Sequence, residues 1–347
     1  MKYRKLGATG LKVSEIGFGT WQLANDPNMW VGADIAESLR ALHRYAELGG
    51  NFIDTAWMYG WDSAKPSEHP SEALIGAFLK EYKKRDKIIV ATKIPPKNFL
   101  WPAHHGIPIG EVFPPEHIQR CVEDSLRSLG VDSLDLVQFH VWQDYFADDV
   151  GWQETVKRLT KEGKVKHWGI SINDYQPSNC LRTIDTGLIE TIQCIFNIFH
   201  QLPADKLFPE AKEHKIGIIA RVPLDEGGLT GAITKDTVFE PGDFRATYFS
   251  GKRREELERR INELKQLLGK EAESLPELAL RYILSFSAVS TVIPGMRKVA
   301  HVESNAKLSD GRQLSWDLFD DLEKHAWERN FYPNHDEALA DIGYVEL

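Results

Sequence analysis

The chain has 347 residues, 42% of them hydrophobic, which is enough for a sizeable core and, in an α/β barrel, for one domain spanning 1–347. Its net charge of −9 and pI near 5.8 argue against general nucleic-acid binding, which shows as a basic excess. Three cysteines without a C-x-x-C pair, no apolar stretch behind the N-terminal charges and no run near the ~18 apolar residues of a membrane span fit a soluble protein of the reducing cytoplasm.

Residues 2–6 and 11–16 read as two short strands joined by G-A-T-G, a hairpin. An apolar run continues from Ile16 to Thr20. Regular alternation follows. Helical spacing over 35–48 stops at Gly49-Gly50, and 51–54 is a strand. The next pairs are a helix at 71–80 and a strand at 87–93, then a helix at 115–129 and a strand at 134–140. Helices at 152–162, 177–185 and 206–214 alternate with strands at 165–171, 190–196 and 216–222. Helices at 253–268 and 275–286 precede the last strand, 289–294, and helices at 299–308 and 316–329 follow it, with an irregular tail. Counting from Ile16, eight strands alternate with helices, which predicts a parallel sheet.

An open doubly wound sheet and a closed (β/α)8 TIM barrel both fit that pattern. Two features favour the barrel. No G-x-G-x-x-G follows an early strand, and ionisable groups stand at successive strand ends. Asp54 closes N-F-I-D, Lys93 closes I-I-V-A-T-K, and His140 closes L-D-L-V-Q-F-H; Tyr59 lies five residues past Asp54. In a barrel those ends converge on one mouth, the face that carries catalysis.

Singly, each of the four has a plainer reading: a turn carboxylate, a loop aromatic, a Schiff-base lysine as in barrel aldolases, a core histidine. Together they suit proton delivery to a carbonyl oxygen. A phenol titrates near 10, and a neighbouring ammonium (Lys93) favours its phenolate and lowers that value. Asp54 would keep Lys93 charged and in place. The His140 imidazole would hydrogen-bond the carbonyl oxygen. No side chain donates hydride, so a nicotinamide cofactor is implied.

The motifs around these residues resemble the aldo-keto reductase superfamily from Arg4 to about Asn305. They are L-G-x-T-G-L-x-V-S near the start, G-F-G-T-W at 17–21, D-T-A-x-x-Y-G at 54–60, A-T-K at 91–93 and S-L-R-S-L-G-V-D at 125–132. Then come D-L-V-Q-F-H at 135–140, G-K-V-K-H-W-G-I-S at 163–171, P-L-D-E-G-G-L-T-G at 223–231 and V-I-P-G-M-R at 292–297. The resemblance implies a (β/α)8 barrel with an N-terminal hairpin cap and extra C-terminal helices, and NADP(H)-linked reduction of a small carbonyl compound, reversible toward the alcohol. Tyr59 would be the general acid, Lys93 its partner, Asp54 the residue holding Lys93, and His140 the carbonyl-orienting group.

The resemblance also implies cofactor residues. Gly19, Thr20 and Trp21 would flank the nicotinamide-ribose end, and Ser171, Asn173 and Gln193 the carboxamide. Ile172 separates Ser171 from Asn173, where the family usually has Ser and Asn adjacent. Arg221 stands where an aromatic ring often stacks on the nicotinamide; its planar guanidinium could stack instead. Leu224, Asp225 and Gly227 would lie over the pyrophosphate. Gly295, Arg297, His301 and Asn305 would hold the adenosine end, with Arg297 pairing with the 2′-phosphate of NADP.

Two connections, 94–114 and 223–250, are long enough to cover the mouth. Trp21, Trp57, Trp101 and Trp142 fall on mouth loops and are candidate aromatic walls for substrate. His104, His105 and His117 have no carboxylate or cysteine at ligand spacing, so no metal is expected. The charged stretch 252–260 reads as a solvated helix face. Two other functions compete with the reductase: a cofactor-bound regulatory subunit, like the barrel β-subunits of potassium channels, and a Lys93 Schiff-base lyase.

Overall fold

The computed structural model describes residues 1–24, 26 and 29–327. The tail and the last residues of the helix expected at 316–329 lie outside the described residues. A hairpin of β1 (Tyr3–Lys5) and β2 (Lys12–Ser14) opens the chain. Eight parallel strands follow: β3 (Phe18–Gly19), β4 (Phe52–Asp54), β5 (Ile89–Ile94), β6 (Leu134–Trp142), β7 (Val165–Ile172), β8 (Thr191–Ile195), β9 (Gly217–Arg221) and β10 (Val289–Val292). Each pairs with its sequence neighbours, in the order β3 to β10. Parallel bridges Ile16–Val292 and Gly19–Gly295 join the last strand to the first, so the sheet closes into a (β/α)8 barrel.

The helices form the outer layer. They are α1 (Ile35–Glu47), α2 (Pro70–Glu81), the short α3 (Ile109–Val112), α4 (Pro115–Leu129), α5 (Val150–Lys161), α6 (Leu181–Asp185) and α7 (Leu207–Glu213). After β9 come α8 (Arg245–Tyr248), α9 (Arg253–Lys265) and α10 (Leu275–Leu284), and after β10, α11 (Val299–Lys307) and the appended α12 (Trp316–Glu323). Both ends of α4 fall where the sequence expects them. Pro115 needs no hydrogen bond at the first turn, and Gly130 ends the helix with φ +66°. By contrast α6 starts four residues late. Gln176 and Asn179 direct their side-chain amides to other loop residues, which competes with helix formation.

The hairpin plugs the barrel floor. Leu6 and Val13 pack with Phe52, Ala91, Leu136, Ile219 and Ile293 in a buried cluster inside the strands. The approach depends on two glycines, since a Cβ on Gly7 would stand 2.3 Å from the Gly217 backbone nitrogen. With that end sealed, the open end of the barrel is the one formed by the strand C-termini. Among the described residues no helix is long and apolar enough to cross a membrane.

Candidate active site

Asp54, Lys93 and His140 lie at the C-terminal ends of β4, β5 and β6, adjacent strands in the sheet. Tyr59 sits on the turn after β4. Lys93 has no exposed surface, yet all three of its ammonium hydrogens have acceptors. Nζ donates to Asp54 Oδ2 at 2.5 Å, to the Thr55 carbonyl at 2.8 Å and to Tyr59 Oη at 3.3 Å. The other carboxylate oxygen of Asp54 accepts from Gln193 Nε2 at 2.8 Å and Gln138 Nε2 at 3.3 Å. The Tyr59 and His140 rings meet edge to face, 6.1 Å between centroids. The structure thus brings all four predicted side chains together.

Electrostatics correct one expectation. The Tyr59 phenol is held above its ordinary value of 10.0, because burial outweighs the downward pull of the Lys93 charge. It therefore stays protonated near neutrality. Burial alone would lower Lys93, but the Asp54 carboxylate and Tyr59 more than offset it, so the ammonium is raised. His140 is held well below 6.5, first by burial and then by the charges of Lys93 and Arg221. Its ring is neutral at pH 7, and its Nδ1 is buried without a partner.

Two of the four candidate wall tryptophans are at the site. Trp21 stacks on Tyr59 with centroids 6.1 Å apart, backed by Trp30 and Phe244. Trp101 stands edge-on to His140 at 4.5 Å. The other two face the helix layer. Trp142 is in β6 rather than on a loop, and a bulge separates it from His140, with Val141 at φ +61°. The extra residue breaks the alternation that would have turned Trp142 inward. It is fully buried against Phe113, Phe146 and Trp152, and its indole N–H reaches Thr183. Trp57 is also buried, against His69 and Trp61, with its N–H on Asp124 of α4. Neither can line a substrate pocket.

The residues expected at a cofactor divide similarly. Ser171 pairs with Gln193 across β7 and β8, and its buried hydroxyl has no partner in the protein. An unsatisfied buried hydroxyl beside a glutamine amide fits a carboxamide ligand. At Gly295 the space a Cβ would take is filled by the end of the Gln22 side chain, 2.2 Å away. Gly19 pairs with Gly295 at the barrel closure, while the Thr20 hydroxyl turns to the scaffold, on the Asp54 carbonyl and Ser71. Asn173 differs from expectation. Its amide is committed to both backbone groups of Ala103, not left facing the site. Arg221 is tied to Asp174 at 2.6 Å and to the Ile172 carbonyl at 3.1 Å.

Leu224, Asp225 and Gly227 form a strained turn: φ is +54° at Val222, +50° at Asp225, +51° at Glu226 and +99° at Gly227. Such strings of left-handed residues collect at ligand-binding turns. Tyr248 of α8 fastens this one through Asp225 Oδ1 at 2.9 Å. Arg297, half-buried, donates to the Val31 carbonyl at 3.0 Å. Burial and the nearby charge of Arg245 both disfavour its protonated form. Arg245 lies over the Trp30 ring at 4.6 Å and pairs with Asp243. The charge of Arg245 is near enough to act on Arg297, and two neighbouring guanidinium groups favour an anion. His301 is exposed beside them, and Asn305 is buried.

Sequence reasoning missed Gln138, Trp30, Phe244 and Arg245. Gln138 carried a signal, because it lies two residues before His140 on a strand and so faces the same side. The others come from connections, Trp30 ahead of α1 and Phe244 and Arg245 at the start of the short α8, where no periodicity shows which side chains turn inward. Among the described residues no group of three or more His, Cys, Asp or Glu side chains is placed to hold a metal ion.

A family model described as "Aldo/keto reductase family" matches residues 15–326. Aldo-keto reductase YhdN of Bacillus subtilis (strain 168) is 30% identical over 315 residues, 89% of each chain. The NADH-specific methylglyoxal reductase of Escherichia coli (strain K12) is 28% identical, covering 88% of this chain and 92% of its own. Among solved structures, the glycerol dehydrogenase AKR11B4 of Gluconobacter oxydans superposes with a TM-score of 0.75 at 26% identity, covering 96% of this chain and 98% of its own. The holo form of an aldo-keto reductase of Bacillus halodurans gives 0.71 at 26% identity, covering 96% and 99%. With its family model spanning most of the sequence and a 30% identical relative matched over most of both chains, this chain belongs to the aldo/keto reductase family.

Proposed function

We propose that this enzyme reduces an aldehyde or ketone to the alcohol with NADP(H), and that Tyr59 delivers the proton. The observation that carries the reading is the position of Lys93, within hydrogen-bond reach of both Asp54 and Tyr59. The bound nicotinamide supplies the hydride, which no side chain can. Ser171 and Gln193 would hold its carboxamide, the 222–227 turn its pyrophosphate, and Arg297 with Arg245 its adenosine phosphate.

The side chains then divide the remaining work. Tyr59 donates its hydroxyl proton to the substrate oxygen as that oxygen gains charge, a contribution of about 10²–10⁴ in rate. The Lys93 ammonium, 3.3 Å from Oη, stabilises the phenolate left behind. Neutral His140 hydrogen-bonds the same substrate oxygen and orients it. Trp21 and Trp101 exclude water from the two sides. The lyase reading loses support, since a Schiff base needs a neutral lysine and Lys93 is kept charged by its buried carboxylate.

One relative is NADH-specific by name, so cofactor choice is the first test. Fluorescence titration with NADPH and NADH should show tighter NADPH binding, with the margin narrowed in Arg297→Leu. Equal affinities would remove the NADP preference and leave the reductase reading. Binding of neither would end both.

A further inference from the structure

We propose that Asn173 belongs to the substrate side of the site. It is a positioning residue that clamps the 95–108 loop, so that Trp101 stands over His140 and selects carbonyl compounds with a flat ring. The inference rests on the reductase reading above.

The position of Asn173 follows from strand geometry. β7 ends at Ile172. Side chains alternate along a strand, so Ser171 and Asn173 share a side, but Asn173 stands one residue beyond the sheet. From there it reaches the loop after β5. Its Oδ1 accepts the Ala103 N–H at 3.0 Å, and its Nδ2 donates to the Ala103 carbonyl at 2.8 Å. Gln143, just past the end of β6, donates to the same carbonyl at 2.6 Å. Asn179 donates to Gln143 Oε1 at 2.8 Å and to Gln176 Oε1 at 2.7 Å, and Asn173 also reaches Gln176 at 3.3 Å. Asn173, Gln143, Gln176 and Ala103 are all buried. The clamp is an uncharged cluster of four side-chain amides around one peptide unit.

Turning Asn173 toward a cofactor would strand the buried Ala103 N–H, and an unsatisfied buried donor costs more than one hydrogen bond returns. Ser171, two residues earlier, has the opposite condition, a buried hydroxyl with no partner. The pair therefore divides between two ligands: Ser171 serves the carboxamide, Asn173 the wall. Ala103 is two residues from Trp101, so holding its peptide limits how far the Trp101 backbone can move from His140. The indole packs edge-on to His140, while the Trp21 ring stacks on Tyr59. Two indoles held beside the reacting pair offer aromatic surface on which a flat ring can pack and a short chain cannot, and no ordering of the wall opposes that packing.

The test uses the full chain, with NADPH and two probes, 4-nitrobenzaldehyde and propanal. Asn173→Ala should raise KM for 4-nitrobenzaldehyde on the order of tenfold, the loss of buried hydrogen bonds. KM for propanal and Kd for NADPH, read by fluorescence, should each move less than about twofold. Because Asn173 acts through Trp101, adding Asn173→Ala to Trp101→Ala should change nothing further. Weakened NADPH binding with unchanged KM, or fully additive effects, would overturn the proposal. If Asn173→Ala does not fold, Gln143→Met removes the other bond to the Ala103 carbonyl and is judged by the same criteria. A wild type that neither binds NADPH nor reduces either probe would sink the reductase reading, and hydrogen exchange would then decide the clamp. Faster exchange over 99–106 in the variant supports the clamp; unchanged exchange overturns it.

Discussion

Lys93 and Asp54 form an ion pair with almost no surface, Nζ to Oδ2 at 2.5 Å. Its stability depends on both members. Removing one leaves a charge in a site built for two, at a cost of ~3–5 kcal/mol, whereas removing both together often costs little. Lys93→Met should therefore lower the urea midpoint of unfolding far more than Asp54→Asn combined with Lys93→Met. Additive losses in the double variant would show that the pair is not energetically coupled.

Tyr59→Phe removes only the hydroxyl. The ring keeps its contacts with Trp21 and His140, so folding and cofactor affinity should persist. Turnover should fall by about 10²–10⁴, the usual share of a positioned acid. Single-turnover reduction followed by loss of NADPH absorbance measures it. A Tyr59→Phe enzyme of near-normal rate would return the acid's role to another group.

The pH profile follows from two opposed shifts. Tyr59 is raised above 10.0 and stays a phenol, and His140 is held well below 6.5 and stays neutral. Turnover for reduction should then be flat between those two values. An alkaline fall with its midpoint near 8 would mean that Lys93 pulls the phenol down more than burial lifts it.

The parts of this molecule legible in its sequence are those governed by periodicity and punctuation. All eight barrel strands were expected within a few residues, because buried β-branched runs end at ionisable groups or turn signals. Asp54, Lys93 and His140 were visible for the same reason. What stayed hidden depends on departures from regularity. The bulge at Val141 sends Trp142 outward, and nothing in F-H-V-W announces it. The amide cluster on Ala103 joins residues about 70 positions apart and so leaves no local pattern. The net rise of the Tyr59 phenol required knowing how deeply the ring lies, since the charge of Lys93 alone argues for the reverse.

Glu72 was also invisible to sequence reasoning, since in α2 it reads as an ordinary first-turn carboxylate. It is fully buried. Its Oε1 accepts from Thr92 at 2.5 Å and Ser125 at 2.6 Å, and its Oε2 has no partner. Burial pushes its carboxyl up from 4.5 to about 7 despite those hydrogen bonds. The folded state thus holds the proton more tightly than the unfolded one. Its contribution to stability is complete below pH 4.5 and is lost as pH rises from there through about 7. The loss above pH 7 is about 3 kcal/mol, at 1.36 kcal/mol per pH unit. Glu72→Gln keeps an oxygen for both hydroxyls and never ionises. Relative to wild type it should gain stability on going from pH 5 to pH 8, by an amount on the order of that loss. Urea unfolding at the two pH values measures the difference. A difference independent of pH would show that Glu72 titrates no higher in the folded protein than in the unfolded chain.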